Sequence, residues 1–236
     1  DEYRAEAERR NMNPRMLVEF VDGSKTMVEM CAIANATGLV PDVPGMHGPA
    51  ADRDDMAKVL IPREDGGILH KSGVVDFTVG KGVAPGVFVI VKAEHPRIIE
   101  RMDDLHIGHG PYYSFFRPYH LTSLEVPLTC ARIMLQGKPD MVPLPRPVAE
   151  VCAVAKRDLA PGETFDAIGE TCYRSFTMTI SDARAQKAVP VGLLEGGKVT
   201  AAVKKGELLT QANSLPDTTT RLYALRQEQD KMLGYS

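Results

Sequence analysis

An apolar run near the start of the chain, residues 16–21, has the composition of a buried strand. The run stops at the dipeptide Asp22-Gly23, which is a strong turn signal. Ser24 then stands where a helix cap belongs, and apolar positions recur at helical spacing until Gly38, which suits the position just past a helix end. The pattern predicts a strand, a turn and a helix.

A short helix and several strands are predicted next. Four acidic and basic residues open the helical stretch 52–60, which Pro62 stops. Strand-like runs follow at 67–70, 74–79 and 86–91, and the last is apolar throughout, as in a sheet interior. Because these strands follow the helices rather than alternating with them, the fold class is predicted to be α+β.

Four prolines between residues 138 and 147 indicate a stiff, extended linker. The linker separates a first domain, 1–137, from a second region, 148–215, where short strands alternate with glycine turns. This second region reads as a compact all-β module. The tail, 216–236, has the pattern of an amphipathic helix.

Composition narrows the class of protein. The chain has 236 residues, of which 44% are hydrophobic and 25% charged, as in globular proteins that fold in water. The net charge of −3 makes nucleic acid an unexpected partner. The four cysteines form no C-x-x-C pair, and no leader or membrane-spanning run is visible, so a cytoplasmic location is expected. The charged start without a methionine suggests a piece of a longer protein.

The most economical chemical set is Asp22, Lys25, Asp54 and Lys58. Lys25 is expected near a helix N-terminus, where a lysine pKa tends to fall and anions bind. Asp54 and Lys58 are four residues apart and would share a helix face, so the carboxylate could tune the lysine for proton transfer to a carbonyl oxygen. The alternative is an exposed turn and an ordinary surface ion pair.

Histidines and aromatic residues concentrate between positions 106 and 120. His106, His109 and His120 are candidates for a metal cluster, because first-row metals favour imidazole. His120, with Tyr119 and Arg117, is also a candidate for substrate contact, and Arg117 could hold a phosphate through two hydrogen bonds. The alternative for each is packing or surface charge. Other candidate anion partners are Lys81 and Lys92.

The familiar nucleotide fingerprints are absent from the sequence. There is no G-x-G-x-x-G after a strand, no G-x-x-x-x-G-K-[ST] and no G-x-S-x-G. The chain therefore carries no visible dinucleotide-binding motif of its own.

The first half resembles the catalytic domain of homoserine dehydrogenase. Residues 22–26, Asp-Gly-Ser-Lys-Thr, stand where that family has Asn-Gly-Thr-Thr-Asn, and Gly38 and Asp42 match part of its next turn. Asp54-x-x-x-Lys58 matches the helix that supplies that family's catalytic aspartate and lysine. The changes at Asp22, Lys25 and Val40 argue against homoserine itself as the substrate.

The second half, about 150–212, resembles a SAF domain, which is a β-clip module. The sequence segments that carry this resemblance are 154–163 and 204–210. Together with the sequence segments at residues 21–27 and 116–128, the chain as a whole is similar to deoxyxylulose-phosphate-reductoisomerase-like enzymes of isoprenoid biosynthesis. The resemblance implies an α/β catalytic domain followed by the β-clip, with a separate Rossmann domain holding the nucleotide.

This resemblance implies NADPH as hydride donor, a divalent metal such as Mg²⁺ or Mn²⁺, and a phosphorylated or carboxylated small-molecule substrate bound by a homo-oligomer. It gives catalytic roles to Asp22, Lys25, Asp54 and Lys58. The implied substrate contacts are Ser24, Thr26, Arg117, Tyr119 and His120, and the metal candidates are Glu19, Asp22 and Glu125.

Two alternatives stay open. One is a homoserine-dehydrogenase-like oxidoreductase of another small hydroxy or keto substrate. The other is a non-catalytic module in which the SAF domain holds a carbohydrate or takes part in an assembly.

Overall fold

The computed structural model describes residues 3–119 and 122–235. It is a mixture of helices and small sheets, which agrees with the predicted α+β class. The described part of the chain divides into two compact units. The first unit combines the residues up to Met46 with those from Pro143 onward, and the second runs from His47 to Val142.

The chain begins with three helices, all in the first unit: α1 (Arg4–Arg9), α2 (Pro14–Val21) and α3 (Ser24–Thr37). The predicted strand at 16–21 is wrong, because these residues form α2. Asn13 caps this helix by accepting a hydrogen bond from the Arg15 backbone N–H, and Pro14 occupies the first turn, where its missing N–H costs nothing. Only Leu17 is buried, so the apolar run is a helix with exposed side chains rather than a strand.

The centre of the first unit is an antiparallel pair of strands, β5 (Ala149–Ala155) and β6 (Tyr173–Thr179). A short strand, β1 (Val40–Pro41), precedes them in the same unit, and β2 to β4 belong to the second unit. α3 packs on β5 and β6 through buried polar contacts. The Ser24 hydroxyl accepts from the Ser175 backbone N–H at 3.0 Å, and the Thr177 hydroxyl donates to the Met27 carbonyl at 2.7 Å.

The rest of the first unit is β-rich around a large apolar cluster. Isolated bridges join Val154 to Leu208, Leu159 to Val203 and Thr164 to Lys198. The cluster is built from aliphatic and aromatic side chains, among them Phe165, Tyr173, Leu194 and Leu209. The remaining elements here are α7 (Ile180–Ala185), β7 (Lys198–Val199), β8 (Ser214–Leu215) and α8 (Arg221–Leu233), which confirms a helix in the tail.

The second unit holds β2 (Val74–Val75), α4 (Met56–Val59), β3 (Val87–Lys92), β4 (Tyr112–Arg117), α5 (Pro96–Asp104) and α6 (Thr122–Gln136). β3 and β4 form an antiparallel ribbon of two strands. The predicted sheet interior at 86–91 is therefore wrong: Val87, Val89 and Val91 lie on an exposed face. The predicted strand at 67–70 is a turn, and that at 74–79 shrinks to β2, because loop backbone satisfies their hydrogen bonds.

Among the described residues, no helix has both the length and the apolar character needed to cross a membrane.

Candidate functional site

A cleft of about 700 Å³ opens in the second unit. Its walls are α4 with the 3₁₀ turn Arg53–Asp55 before it, the loop that precedes β4, and β4 itself. Charged and hydroxyl groups share the walls with an apolar floor. The polar lining residues are Arg53, Asp54, Lys58, Asp65, His109, Tyr112 and Ser114, and the apolar ones include Ala57, Ile61, Ile107 and Phe116.

Lys58 is the lysine at this cleft that the sequence singled out, and its nearest partner is Asp55. Lys58 Nζ donates to Asp55 Oδ1 at 2.7 Å, and the lysine side chain is 74% exposed. The predicted pairing on one helix face does not form, because Asp54 lies in the 3₁₀ turn before α4. The hydrogen bond from Lys58 to Asp55, aided by the charges of Asp55 and Asp54, raises the pKa of Lys58 above its usual range. The ammonium thus stays charged at neutral pH.

Arg53 provides a second cation at the cleft. Its guanidinium carbon lies 4.7 Å from the centre of the Phe116 ring, so the ring restricts the side chain. The turn that carries it is anchored by two hydrogen bonds with Lys81. Asp52 accepts from the Lys81 backbone N–H at 2.7 Å, and the Arg53 backbone N–H donates to the Lys81 carbonyl at 3.1 Å.

Asp65 joins the cleft to the ribbon of β3 and β4. Its Oδ2 accepts from Lys92 Nζ at 2.8 Å and from the Tyr112 hydroxyl at 2.5 Å. Lys92 and Tyr112 are directly opposite each other in the strand register, so one carboxylate binds both strands. These hydrogen bonds hold the pKa of Asp65 below its usual range. Asp65 therefore acts as an anchored carboxylate that fixes the cleft wall.

The cleft presents charged and hydroxyl groups that can bind an anionic, hydroxylated small molecule. Arg53 and Lys58 can bind phosphate or carboxylate, and Asp54 can accept from a substrate hydroxyl. The buried hydroxyl of Ser114 in the cleft wall has no protein partner in the described structure, so it can donate to or accept from a bound oxygen. Lys58 can also give a proton to a carbonyl oxygen.

The candidates around the first predicted turn lie in the first unit and have structural partners. Asp22 accepts from the Ser24 backbone N–H at 2.9 Å and from Lys156 Nζ at 2.9 Å, with its side chain only 11% exposed. Ser24 is buried against β6, and Thr26 is half-buried in α3. The strand predicted before this turn is the helix α2, so Lys25 follows a helix rather than a strand.

Lys25 itself lies on the surface of α3. Its ammonium is 3.4 Å from Glu29 Oε1 and 4.2 Å from the centre of the Phe20 ring. The catalytic role assigned to it therefore rests on the resemblance alone and stays a prediction.

The other predicted substrate and metal residues are distributed over both units. Arg117 pairs with Glu125 and lies over the Tyr119 ring at 5.0 Å, all in the second unit. Glu19 belongs to the first unit, where its side chain lies against Gly169. His120 lies outside the described residues.

Of the predicted histidine cluster, His109 lines the cleft, whereas His106 has left-handed backbone in the preceding turn. Within residues 3–119 and 122–235, no group of three metal-ligating side chains includes either histidine. The cluster is therefore not assembled by the part of the chain that the structure describes.

Sequence reasoning missed Arg53, Asp55 and Asp65 and gave Tyr112 no role of its own. The signal for Arg53 and Asp55 was present, since they flank Asp54 in the run that opens the predicted helix. Asp65 carried no local signal. Its role depends on the pairing of β3 with β4, which brings Lys92 and Tyr112 together across 20 residues of sequence.

The comparisons with known proteins fit this site. Residues 1–126 match the family model described as "Oxidoreductase DRL, catalytic domain". This match includes the lining residues of the cleft. Curated proteins give no match to the chain. Because the family model spans more than half of the 236 residues, the chain belongs to the DRL oxidoreductases and contains their catalytic domain.

Proposed function

We propose that the chain is the catalytic and C-terminal part of an NAD(P)H-dependent oxidoreductase that resembles 1-deoxy-D-xylulose 5-phosphate reductoisomerase, in isoprenoid biosynthesis. One observation supports this proposal above the others. Within the segment that matches an oxidoreductase catalytic domain, the cleft presents a protonated lysine, Lys58, beside an arginine, Arg53.

The proposed step is reduction of a substrate carbonyl to an alcohol. NADPH, when bound, would supply a hydride for the carbonyl carbon. Lys58 donates a proton to the carbonyl oxygen, and Asp54 accepts from a substrate hydroxyl. Arg53, held by Phe116, binds the phosphate or carboxylate end of the substrate. Arg117 takes a lesser part here than the sequence suggested, because Glu125 already pairs with it.

The described residues that line the cleft offer no fitting site for a dinucleotide or a divalent metal ion. The pyrophosphate of a dinucleotide usually binds a glycine-rich turn between a strand and a helix. The Gly-His-Gly of the cleft lies between α5 and β4 instead, so no described residue is assigned to the nucleotide. Asp65 already accepts from Lys92 and Tyr112, which makes it a poor ligand for Mg²⁺ or Mn²⁺.

The β-rich part of the first unit supports a SAF-like β-clip as the C-terminal module, since short strands and bridges surround a large apolar cluster there. Exposed apolar side chains on α6, such as Met134 at 82% and Leu135 at 84%, favour a homo-oligomer. We also propose a cytoplasmic location for the protein.

A second candidate is a homoserine-dehydrogenase-like reaction on another hydroxy or keto acid. The spacing of Asp54 and Lys58 favours it, and Arg53 suits a carboxylate as well as a phosphate. The two candidates differ in the substrate's anionic end.

Binding measurements on the full chain test the proposal. Isothermal titration with 1-deoxy-D-xylulose 5-phosphate and with homoserine, with and without NADPH, should show preferential binding of the phosphorylated ligand. Arg53→Ala should weaken that binding at least tenfold, while Arg97→Ala, an exposed arginine of α5, should leave it unchanged. Equal affinity in wild type and Arg53→Ala would contradict the placement of the substrate in this cleft.

A further inference from the structure

A histidine–aspartate pair outside the cleft's lining has the geometry of a supported metal ligand. Nδ1 of His47 lies 2.8 Å from Oδ2 of Asp76. Both side chains are largely buried, at 14% and 4% exposure. The neutral tautomer that donates from Nδ1 to this carboxylate is the one whose Nε2 lone pair can ligate a metal. Metal-binding histidines are commonly oriented by a carboxylate in this way.

The carboxylate of Asp76 is held by backbone N–H groups next to His47 and next to Asp76 itself. Its carboxylate oxygens accept from the backbone N–H groups of His47 at 3.1 Å, Gly48 at 3.0 Å and Phe77 at 2.8 Å. Four donors thus converge on one carboxylate. A carboxylate held so firmly has little freedom to become a ligand, and it positions the imidazole instead.

A second imidazole, that of His70, lies next to the first. The two ring centres are 5.9 Å apart, and the rings are tilted by 40°. Their ligating nitrogen atoms lie within 4.8 Å of each other. Two nitrogens that share a tetrahedral Zn²⁺ at about 2.0–2.1 Å each are separated by roughly 3.4 Å, so a rotation of the exposed His70 side chain is sufficient to close the site.

We propose that His47 and His70 bind a divalent transition-metal ion of the Zn²⁺ type, with Asp76 as the positioning residue of His47. Water or an oxygen ligand fills the remaining coordination positions. Imidazole donors favour Zn²⁺, Co²⁺ and Ni²⁺ over Mg²⁺, which prefers oxygen ligands. The inference does not rest on the proposed function, because it uses none of the residues assigned to the substrate.

Metal binding by the full chain tests this site directly. Zn²⁺ affinity is measured by competition with a chromophoric chelator, and Co²⁺ is used as a spectroscopic probe. Wild type should give the visible bands of Co²⁺ with nitrogen ligands at one equivalent. His70→Ala, which removes an exposed side chain and is expected to fold, should weaken Zn²⁺ binding about a hundredfold.

Asp76→Asn tests the positioning role separately. It should weaken Zn²⁺ binding about 10–100-fold, the usual cost of losing an outer-shell partner. It should also shift the Co²⁺ bands, because the His47 ring is held less firmly; a purely structural role would leave those bands unchanged. The matched control is His106→Asn, which removes an exposed imidazole while keeping a residue that tolerates left-handed backbone.

Three results would overturn the proposal: no one-equivalent site in wild type, a Zn²⁺ affinity unchanged in His70→Ala, or an equal loss in His106→Asn. Because none of these measurements uses substrate or NADPH, a failure here is distinguishable from a failure of the proposed oxidoreductase function.

Discussion

The two units of the chain contain the same pair of residue types in opposite settings. In the first unit, Asp22 is nearly buried and is committed to Lys156 and to the start of α3. In the second unit, Asp54 and Lys58 line an open cleft, and Lys58 is 74% exposed. The sequence pattern predicts that the acidic and basic residues of both units form one catalytic set.

The difference teaches that burial and partners decide what a lysine–carboxylate pair does. A buried pair whose donors and acceptors are all used contributes to folding and leaves nothing for a ligand. An exposed pair contributes little to stability, but its charges are available to a substrate. Catalysis and stability should therefore separate between the two units when single residues are changed.

The largest expected effect concerns Lys58. Lys58→Ala in the intact oxidoreductase should lower kcat/KM about a hundredfold or more, because a proton donor to the carbonyl oxygen is lost. The unfolding midpoint should not move, since the side chain is exposed. Steady-state kinetics and thermal unfolding measure the two quantities, with Lys71→Ala, an exposed lysine of a turn, as the control.

Lys25→Ala belongs to the same experiment. Retained activity in this variant would restrict the proton-donor role to the second unit. If Lys25→Ala lost activity and Lys58→Ala kept it, the proton donor would be Lys25 on α3. That result would contradict the assignment of catalysis to the second unit.

The next effect concerns the buried pair. Lys156→Met should lower the free energy of unfolding by about 2–3 kcal/mol, because Asp22 would keep its charge without its main partner. Activity per folded molecule should stay near wild type. Urea denaturation followed by circular dichroism measures the change, and Lys204→Met, whose pair with Asp158 is exposed, serves as the control. A change as small as the control's would show that the first-unit pair is not structural.

Asn35 provides a neutral counterpart in the first unit. Its side-chain oxygen accepts from the backbone N–H groups of Val148 at 2.8 Å and Ala149 at 3.0 Å, and its amide donates to the Ala149 carbonyl at 3.1 Å. Asn35→Ala leaves these groups unpaired and should cost about 2 kcal/mol. Amide hydrogen exchange at the start of β5 should speed up accordingly. Unchanged exchange at Val148 and Ala149 would argue against this link.

The smallest effect is a shift in pH dependence. The hydrogen bond to Asp55 raises the pKa of Lys58, so the lysine remains a proton donor to higher pH than usual. Asp55→Asn removes that cause, and the pKa of Lys58 should fall. The alkaline limb of the kcat/KM profile should therefore move to lower pH while the acid limb stays in place. A limb that does not move would mean that another group donates the proton.

Local patterns predicted part of this structure well. The helix that begins at Ser24, its end at Gly38 and a helix in the tail are confirmed. The predicted cap at Ser24 is wrong, because Gly23 is the N-cap residue of α3 and the Ser24 hydroxyl accepts from the Ser175 backbone N–H instead. The prediction of a strand at 16–21 was wrong because a short apolar run fits a helix and a strand equally well. Asn13 and Pro14, just before the run, indicate a helix start, since they are its N-cap and first residue.

The candidate site was only partly predictable. Asp54 and Lys58 could be found because their spacing is local. The link of Asp65 with Lys92 and Tyr112 could not, because it depends on strand register over a long stretch of sequence. The partner of Asp22 was hidden for the same reason, since Lys156 follows it by 134 residues.

The central claim is that the substrate binds in the second unit's cleft, and backbone-amide NMR of the labelled full chain, titrated with 1-deoxy-D-xylulose 5-phosphate, tests it most directly. The account predicts that shift changes concentrate at residues 53–65 and 107–116. Shift changes concentrated at residues 22–29, without changes at the residues that line the cleft, would contradict this claim.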